Sequence, residues 1–121
     1  MKTLLLILSL SFLLRDYPSY VTSVYDGDTI TVEMDLGMGV SLTEKIRLKG
    51  IDAPEMRGSE RTEGIKSRDA LRKMIFNKRI IIKTEKDKKG KYGRLIGTVY
   101  YNGRNINRWM VSNGYAREVN Y

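Results

Sequence analysis

The sequence predicts a small α+β domain, mainly β, in which strands close into a barrel and two helices pack on it. Three observations carry that prediction. Runs rich in β-branched and aromatic residues are joined by tight-turn dipeptides, Asp26-Gly27 and Asn102-Gly103 among them, a strong short-range hairpin signal. Val40, Leu42, Ile46 and Leu48 fall on one face at period two, as a half-buried barrel strand requires. Helical spacing enters late, after several strands, which suits a small barrel of the OB type. At 121 residues the chain has the size of one domain with a real core, without repeats or low-complexity stretches.

Residues 1–19 stand apart from that domain. Lys2 precedes an apolar run from Leu4 to Leu14, followed by Arg15 and Asp16. A charged start and an 11-residue apolar stretch are too short to span a bilayer and read as a signal peptide. Arg15, Asp16 and Tyr17 make a poor small-x-small cleavage site, so an uncleaved anchor or a buried helix are the alternatives. The expectation is a secreted or periplasmic protein, or one in transient membrane contact through this segment, with the domain at 20–121.

Two strand-like runs, Tyr20–Tyr25 and Ile30–Glu33, flank Asp26-Gly27 as a hairpin. The turn needs one aspartate, so Asp28 is surplus to it. After a second turn at Asp35–Gly39, the strand Val40–Leu48 leads into Arg47-Leu48-Lys49-Gly50-Ile51-Asp52-Ala53-Pro54-Glu55. Gly50 breaks the strand, and Pro54 pushes Ala53 towards an extended conformation, so Asp52 and Glu55 flank a rigid Ala-Pro step. Two acids and a guanidinium at one strand end suggest a metal and a phosphate.

Gly64 to Asn77 reads as a helix with Ile65, Leu71, Met74 and Ile75 on one side and a solvated basic remainder. Arg79–Thr84 is a strand whose continuous apolar run is consistent with burial on both faces. A basic stretch from Lys83 to Arg94 follows; it reads either as a solvated loop or, with Tyr92 to stack a base, as a phosphate-tracking one. Leu95–Tyr101 is a further strand. Asn105 caps a short helix with Ile106, Trp109, Met110 and Val111 inward, and Gly114 ends it.

Composition narrows the chemistry. With 22 basic against 14 acidic residues the net charge is +8, which suits a polyanion such as nucleic acid, or an anionic membrane surface. The chain has no cysteine and no histidine. That excludes disulfides, Ser-His triads, cysteine nucleophiles and ordinary zinc sites, and leaves hard, oxygen-bound Ca²⁺ or Mg²⁺.

The series Asp26-Gly27-Asp28-Thr29, then Arg47 to Glu55, then Lys91-Tyr92-Gly93-Arg94 resembles the staphylococcal nuclease (thermonuclease) family. Each motif alone is weak; their order, with the Arg47–Asp52–Glu55 spacing, is specific. The likeness runs from about Tyr20 to the last residue and includes Asn107, Gly114 and Ala116. It implies a five-stranded OB-fold-like barrel, Ca²⁺ dependence, and cleavage of DNA or RNA that leaves 3′-phosphate ends with little sequence preference. The family normally carries one more C-terminal helix than this sequence includes. By register from Gly114, Asn120 falls where the family has a second nucleotide-contacting tyrosine, so neither Tyr115 nor Tyr121 inherits that role.

On this reading Asp28 and Asp52 are metal ligands, with the Ala53 backbone carbonyl a candidate third where the family often has threonine. Asp26 orients those ligands. The resemblance gives Glu55 the proton of the attacking water, while leaving open whether it acts as base or only orients the water. Arg47 and Arg94 would clamp phosphoryl oxygens bidentately, and Lys91 and Tyr92 would contact the nucleotide. No stable protein partner is implied, and a monomer is expected. The alternative is a non-catalytic OB-type module that binds single strands. Such a binder has no use for Asp28, Asp52 and Glu55, which repel phosphate unless a cation sits among them.

Overall fold

The barrel closes because one strand has partners on both sides. In the computed structural model, which describes residues 16–89 and 94–120, β1 (Asp16–Asp26), β2 (Thr29–Gly37) and β3 (Val40–Leu48) form an antiparallel meander. β4 is the short Ile51–Asp52 pair, and α1 spans Arg61–Ile75. β5 (Arg79–Lys89) returns along β1, and β6 (Leu95–Tyr101) runs antiparallel to β5 and parallel to β3. That last pairing joins the ends of the sheet β3-β2-β1-β5-β6 into five closed strands. β7 (Arg104–Asn105), α2 (Ile106–Ser112) and β8 (Arg117–Glu118) complete the fold, with β8 pairing β4. This is the expected OB-fold-like barrel with two helices.

Inward side chains of the five strands make one core. Val21, Ile30, Val32, Ile46, Leu48, Ile82 and Val99 are fully buried, joined by Leu71 and Ile75 of α1 and Ile106 and Met110 of α2. Asn105 caps α2 as the sequence predicts, accepting from Arg108 N at 3.0 Å, and Gly114 ends it at φ +77°. Trp109 is half-buried on the core, its ring 5.7 Å from that of Tyr115.

Several details depart from the sequence reading. β1 takes in Asp16 to Ser19, with Asp16 opposite Lys83; the apolar run at 4–14 lies outside the described residues. Ile46 and Leu48 are buried, but Val40 and Leu42 on the same face are exposed, because period two sets the face and not whether anything covers it. Ile80 and Ile82 are buried while Ile81 is 40% exposed, so from Arg79 to Thr84 β5 alternates and is buried on one face only. α1 starts three residues earlier than Gly64, and its innermost positions include Gly64 and Ser67 rather than Ile65, which is half-buried.

Those two small residues set how close α1 comes to the barrel. A Cβ on Gly64 would overlap the Glu55 carbonyl oxygen and stand 2.8 Å from its carbon. A Cβ on Gly27 would overlap Ser67 Oγ and stand 2.8 Å from Ala53 Cβ. Arg72 adds a bond to the Val24 carbonyl at 3.2 Å. The helix therefore clamps both acid-bearing loops, the β1–β2 turn and the segment after β4.

Candidate active site

At the end of the barrel where β1 turns into β2, Asp28 is 6% exposed and both of its carboxylate oxygens are hydrogen-bonded. Oδ1 accepts from the Thr29 hydroxyl at 3.0 Å, and Oδ2 accepts from the Ala53 N–H at 2.8 Å. Its backbone carbonyl accepts from Leu48 N at 2.8 Å, which ties the turn to the end of β3. A carboxylate held this way has one orientation before anything binds.

Arg47 reaches the same point from β3, opposite Thr29 in register. Its Nη2 lies 3.4 Å from Asp28 Oδ2 and 3.5 Å from Asp52 Oδ1, and its Nη1 donates to the Leu48 carbonyl at 3.0 Å. One largely buried guanidinium thus bridges two acids 24 residues apart in sequence. Arg94, at the mouth of β6, donates from Nη1 to Thr29 Oγ1 at 3.4 Å. The chain Arg94–Thr29–Asp28 brings the second arginine to the first acid.

Asp26 supports this group from behind. Its Oδ1 accepts from the Asp28 N–H at 3.0 Å. Burial pushes its carboxyl from 3.8 up to about 7; the side-chain hydrogen bond and like charge of Asp28 act the same way, and the backbone bond and Arg47 oppose them. Glu55 is exposed and makes no hydrogen bond or ion pair among the described residues. It opens onto a cleft of about 570 Å³ shared with Asp52, Tyr115, Ala116 and Arg117.

The structure therefore gathers Asp26, Asp28, Arg47, Asp52, Ala53 and Arg94 around one barrel end, with Glu55 at the rim. Lys91 and Tyr92 lie outside the described residues. Among the described residues no three carboxylates converge tightly enough to form a complete metal cage. The two carboxylates that Arg47 bridges are hard oxygen donors, of the type that holds Ca²⁺ or Mg²⁺ with positions left for water and phosphate.

The family model for staphylococcal nuclease homologues matches residues 45–121. The chain belongs to the staphylococcal nuclease family. Its relatives include Endonuclease YhcR of Bacillus subtilis, 34% identical over 84% of this chain and 9% of that protein. An uncharacterized endonuclease of Haemophilus influenzae is 33% identical over 79% of this chain and 49% of its own length. The thermonuclease of Staphylococcus intermedius is 29% identical over 84% of this chain and 59% of its length. The chain thus spans less than two thirds of each of these relatives.

Two members of the site in this staphylococcal nuclease homologue escaped the sequence reading. Thr29 is the link between Arg94 and Asp28. Arg117 on β8 is the cross-strand partner of Asp52 and binds its Oδ2 through Nε at 3.2 Å and Nη2 at 2.9 Å. Thr29 was legible as part of Asp-Gly-Asp-Thr; nothing local to Arg117 marked it.

Proposed function

We propose that this protein is a Ca²⁺-dependent nuclease that hydrolyses phosphodiester bonds of DNA or RNA with little sequence preference, leaving 3′-phosphate ends. The observation that carries the proposal is the Arg47 bridge, which puts two carboxylates and a phosphate-matching guanidinium at one point. Membership of the staphylococcal nuclease family supports it, as do relatives named endonuclease and thermonuclease.

In this reading Asp28, Asp52 and the Ala53 carbonyl hold the cation, which when bound neutralises charge on the phosphoryl oxygens. Asp26 fixes Asp28 through the backbone bond. Arg47 turns its fork from the acids to the phosphate, and Arg94 takes a second phosphoryl oxygen, a geometry that lysine does not offer. Glu55, exposed at the rim, takes the proton of the attacking water and so drives attack that breaks the 5′ P–O bond. Lys91 and Tyr92 contact the nucleotide. We place the protein outside the cytoplasm, secreted or periplasmic, and acting as a monomer.

The test is incubation of the purified full chain with single-stranded DNA, in Ca²⁺ and in excess chelator. Cleavage that needs the cation and yields 3′-phosphate ends is expected. Undiminished turnover in chelator overturns the metal assignment, and tight binding without cleavage in either condition favours the OB-type binding module.

A further inference from the structure

The β2–β3 hairpin runs on past the end of the barrel, and its tip is apolar. Leu36, Met38, Val40 and Leu42 are 47, 102, 54 and 48% exposed, although Met34, which faces Leu42 across the pair, is buried. From Leu36 to Thr43 eight residues carry no charge, in a chain where 30% of residues are charged. The neighbouring Asp35 bends its carboxylate back to the Gly37 N–H at 2.8 Å, which turns it into part of the turn. Single exposed apolar residues are ordinary, whereas four on one protruding tip form a patch that calls for a partner.

The topology says which end of the molecule this is. β1 runs antiparallel to β2 with Ser19 opposite Met34, so the chain enters β1 at Asp16, level with the tip. In sequence the apolar run Leu4–Leu14 ends just before that point. Two apolar stretches distant in sequence therefore join the folded domain at the same end. The acids sit at the other end: Thr29 opens β2 opposite Arg47, and the nine residues of β2 at about 3.3 Å each span roughly 25–30 Å.

We propose that this end docks on a lipid bilayer, with the hairpin tip seated at the boundary of headgroups and acyl chains and the site turned to water. A narrow ribbon ending in a wholly exposed Met38 is a projection, and a fluid bilayer accepts a projection without the matching hollow that a protein partner must supply. The run at 4–14 is too short to span a bilayer, and one weak anchor gives marginal, reversible binding where two give stable binding. With Glu33 and Asp35 behind the tip, the attraction is apolar and does not require anionic lipid.

The full chain has no cysteine, so a single environment-sensitive dye on Met38→Cys reports the tip alone. A second label on Asn113→Cys reports the site end, since the adjoining Gly114 lines the Asp52–Glu55 cleft. With phosphatidylcholine vesicles the Met38 label should shift to the blue and be quenched by brominated acyl chains, while the Asn113 label stays unchanged. Leu36→Ser with Leu42→Ser, at exposed positions, should leave the circular dichroism intact and weaken vesicle affinity on the order of tenfold. Three results overturn the proposal. One is a chain that stays out of the vesicle pellet. Another is a chain that pellets while the Met38 label remains in water, leaving docking to the apolar run alone. The third is a Met38 label already blue without vesicles, which would mean that the tip is covered by this chain or, if concentration-dependent, by a second copy.

Discussion

Arg117 lays both Nε and Nη2 on a single oxygen of Asp52, Oδ2, at 3.2 and 2.9 Å, and leaves Oδ1 to face Arg47. Asp52 therefore presents one defined oxygen to the site. The Arg117 side chain is 77% exposed, so its charge is screened by water and its effect is mainly one of orientation.

Arg117→Ala should on that account leave stability nearly unchanged, within about 1 kcal/mol for an exposed pair. On the proposed function, in which Asp52 is a Ca²⁺ ligand, Ca²⁺ affinity should fall by about tenfold, the lower end for partners that orient metal ligands. Titration calorimetry of the folded variant reads this directly. Arg117→Lys keeps charge without the fork and should resemble alanine. If the alanine variant binds Ca²⁺ more tightly, the guanidinium competes with the cation and does not orient its ligand.

Gly64→Ala tests the clamp. In an exposed helix the change would help by about 1 kcal/mol. Here the new methyl meets the Glu55 backbone, which cannot rotate aside, and overpacking of this kind costs about 1–3 kcal/mol. Thermal unfolding should show net destabilisation. Because the displaced atoms belong to Glu55, the rate should fall further than in a surface variant of equal stability. A more stable, fully active Gly64→Ala protein would remove the helix from any role in positioning the loop.

Asp26 gives the cation-free protein a pH signature. The native state keeps this proton up to about 7, and the unfolded chain releases it near 3.8. Between those values the native state binds more protons, so the Asp26 contribution is most favourable below the unfolded pKa and is lost as pH rises through the folded one. Asp26→Asn keeps an oxygen for the Asp28 N–H and cannot ionise. Denaturation at pH values from about 4 to about 7 should show the wild type losing stability relative to the variant as pH rises. A difference that stays flat across that window would place the Asp26 proton elsewhere.

The sequence reading reached the five strands and most of the acid–arginine cluster because both are written in short patterns. Asp26-Gly27-Asp28-Thr29 carries its own turn, and Arg47 to Glu55 carries its own strand end. What it missed depends on chain segments meeting. Arg117 lies 65 residues from Asp52 and becomes its neighbour only through the β4–β8 pair. Gly64 looks like a weak helix residue until the Glu55 carbonyl is found against it. Val40 and Leu42 obey the barrel alternation and still stand in the open, since periodicity is blind to where the barrel stops.

On the proposed function, Glu55 carries proton transfer and Arg94 charge neutralisation, and substitutions tell the two apart. Glu55→Gln keeps shape and a hydrogen-bonding oxygen and loses the proton acceptor, so the catalysed rate should fall by about 10²–10⁴, the usual range for losing a general base. Arg94→Lys keeps the charge and loses the fork. If Arg94 meets the phosphoryl group in the transition state as an arginine finger does, the cost is on the order of 10³ or more. Arg94 also bonds Thr29, which orients Asp28, so this variant needs a Ca²⁺ titration beside its rate. Unchanged Ca²⁺ affinity with a collapsed rate assigns the arginine to substrate, whereas parallel losses assign it to the acid. Glu55 is exposed and bonded to nothing among the described residues, so its substitution should leave both circular dichroism and Ca²⁺ affinity intact. A folded Glu55→Gln protein within a few-fold of full activity at saturating DNA would make Glu55 a bystander, with Asp28 and Asp52 the only carboxylates the reaction needs.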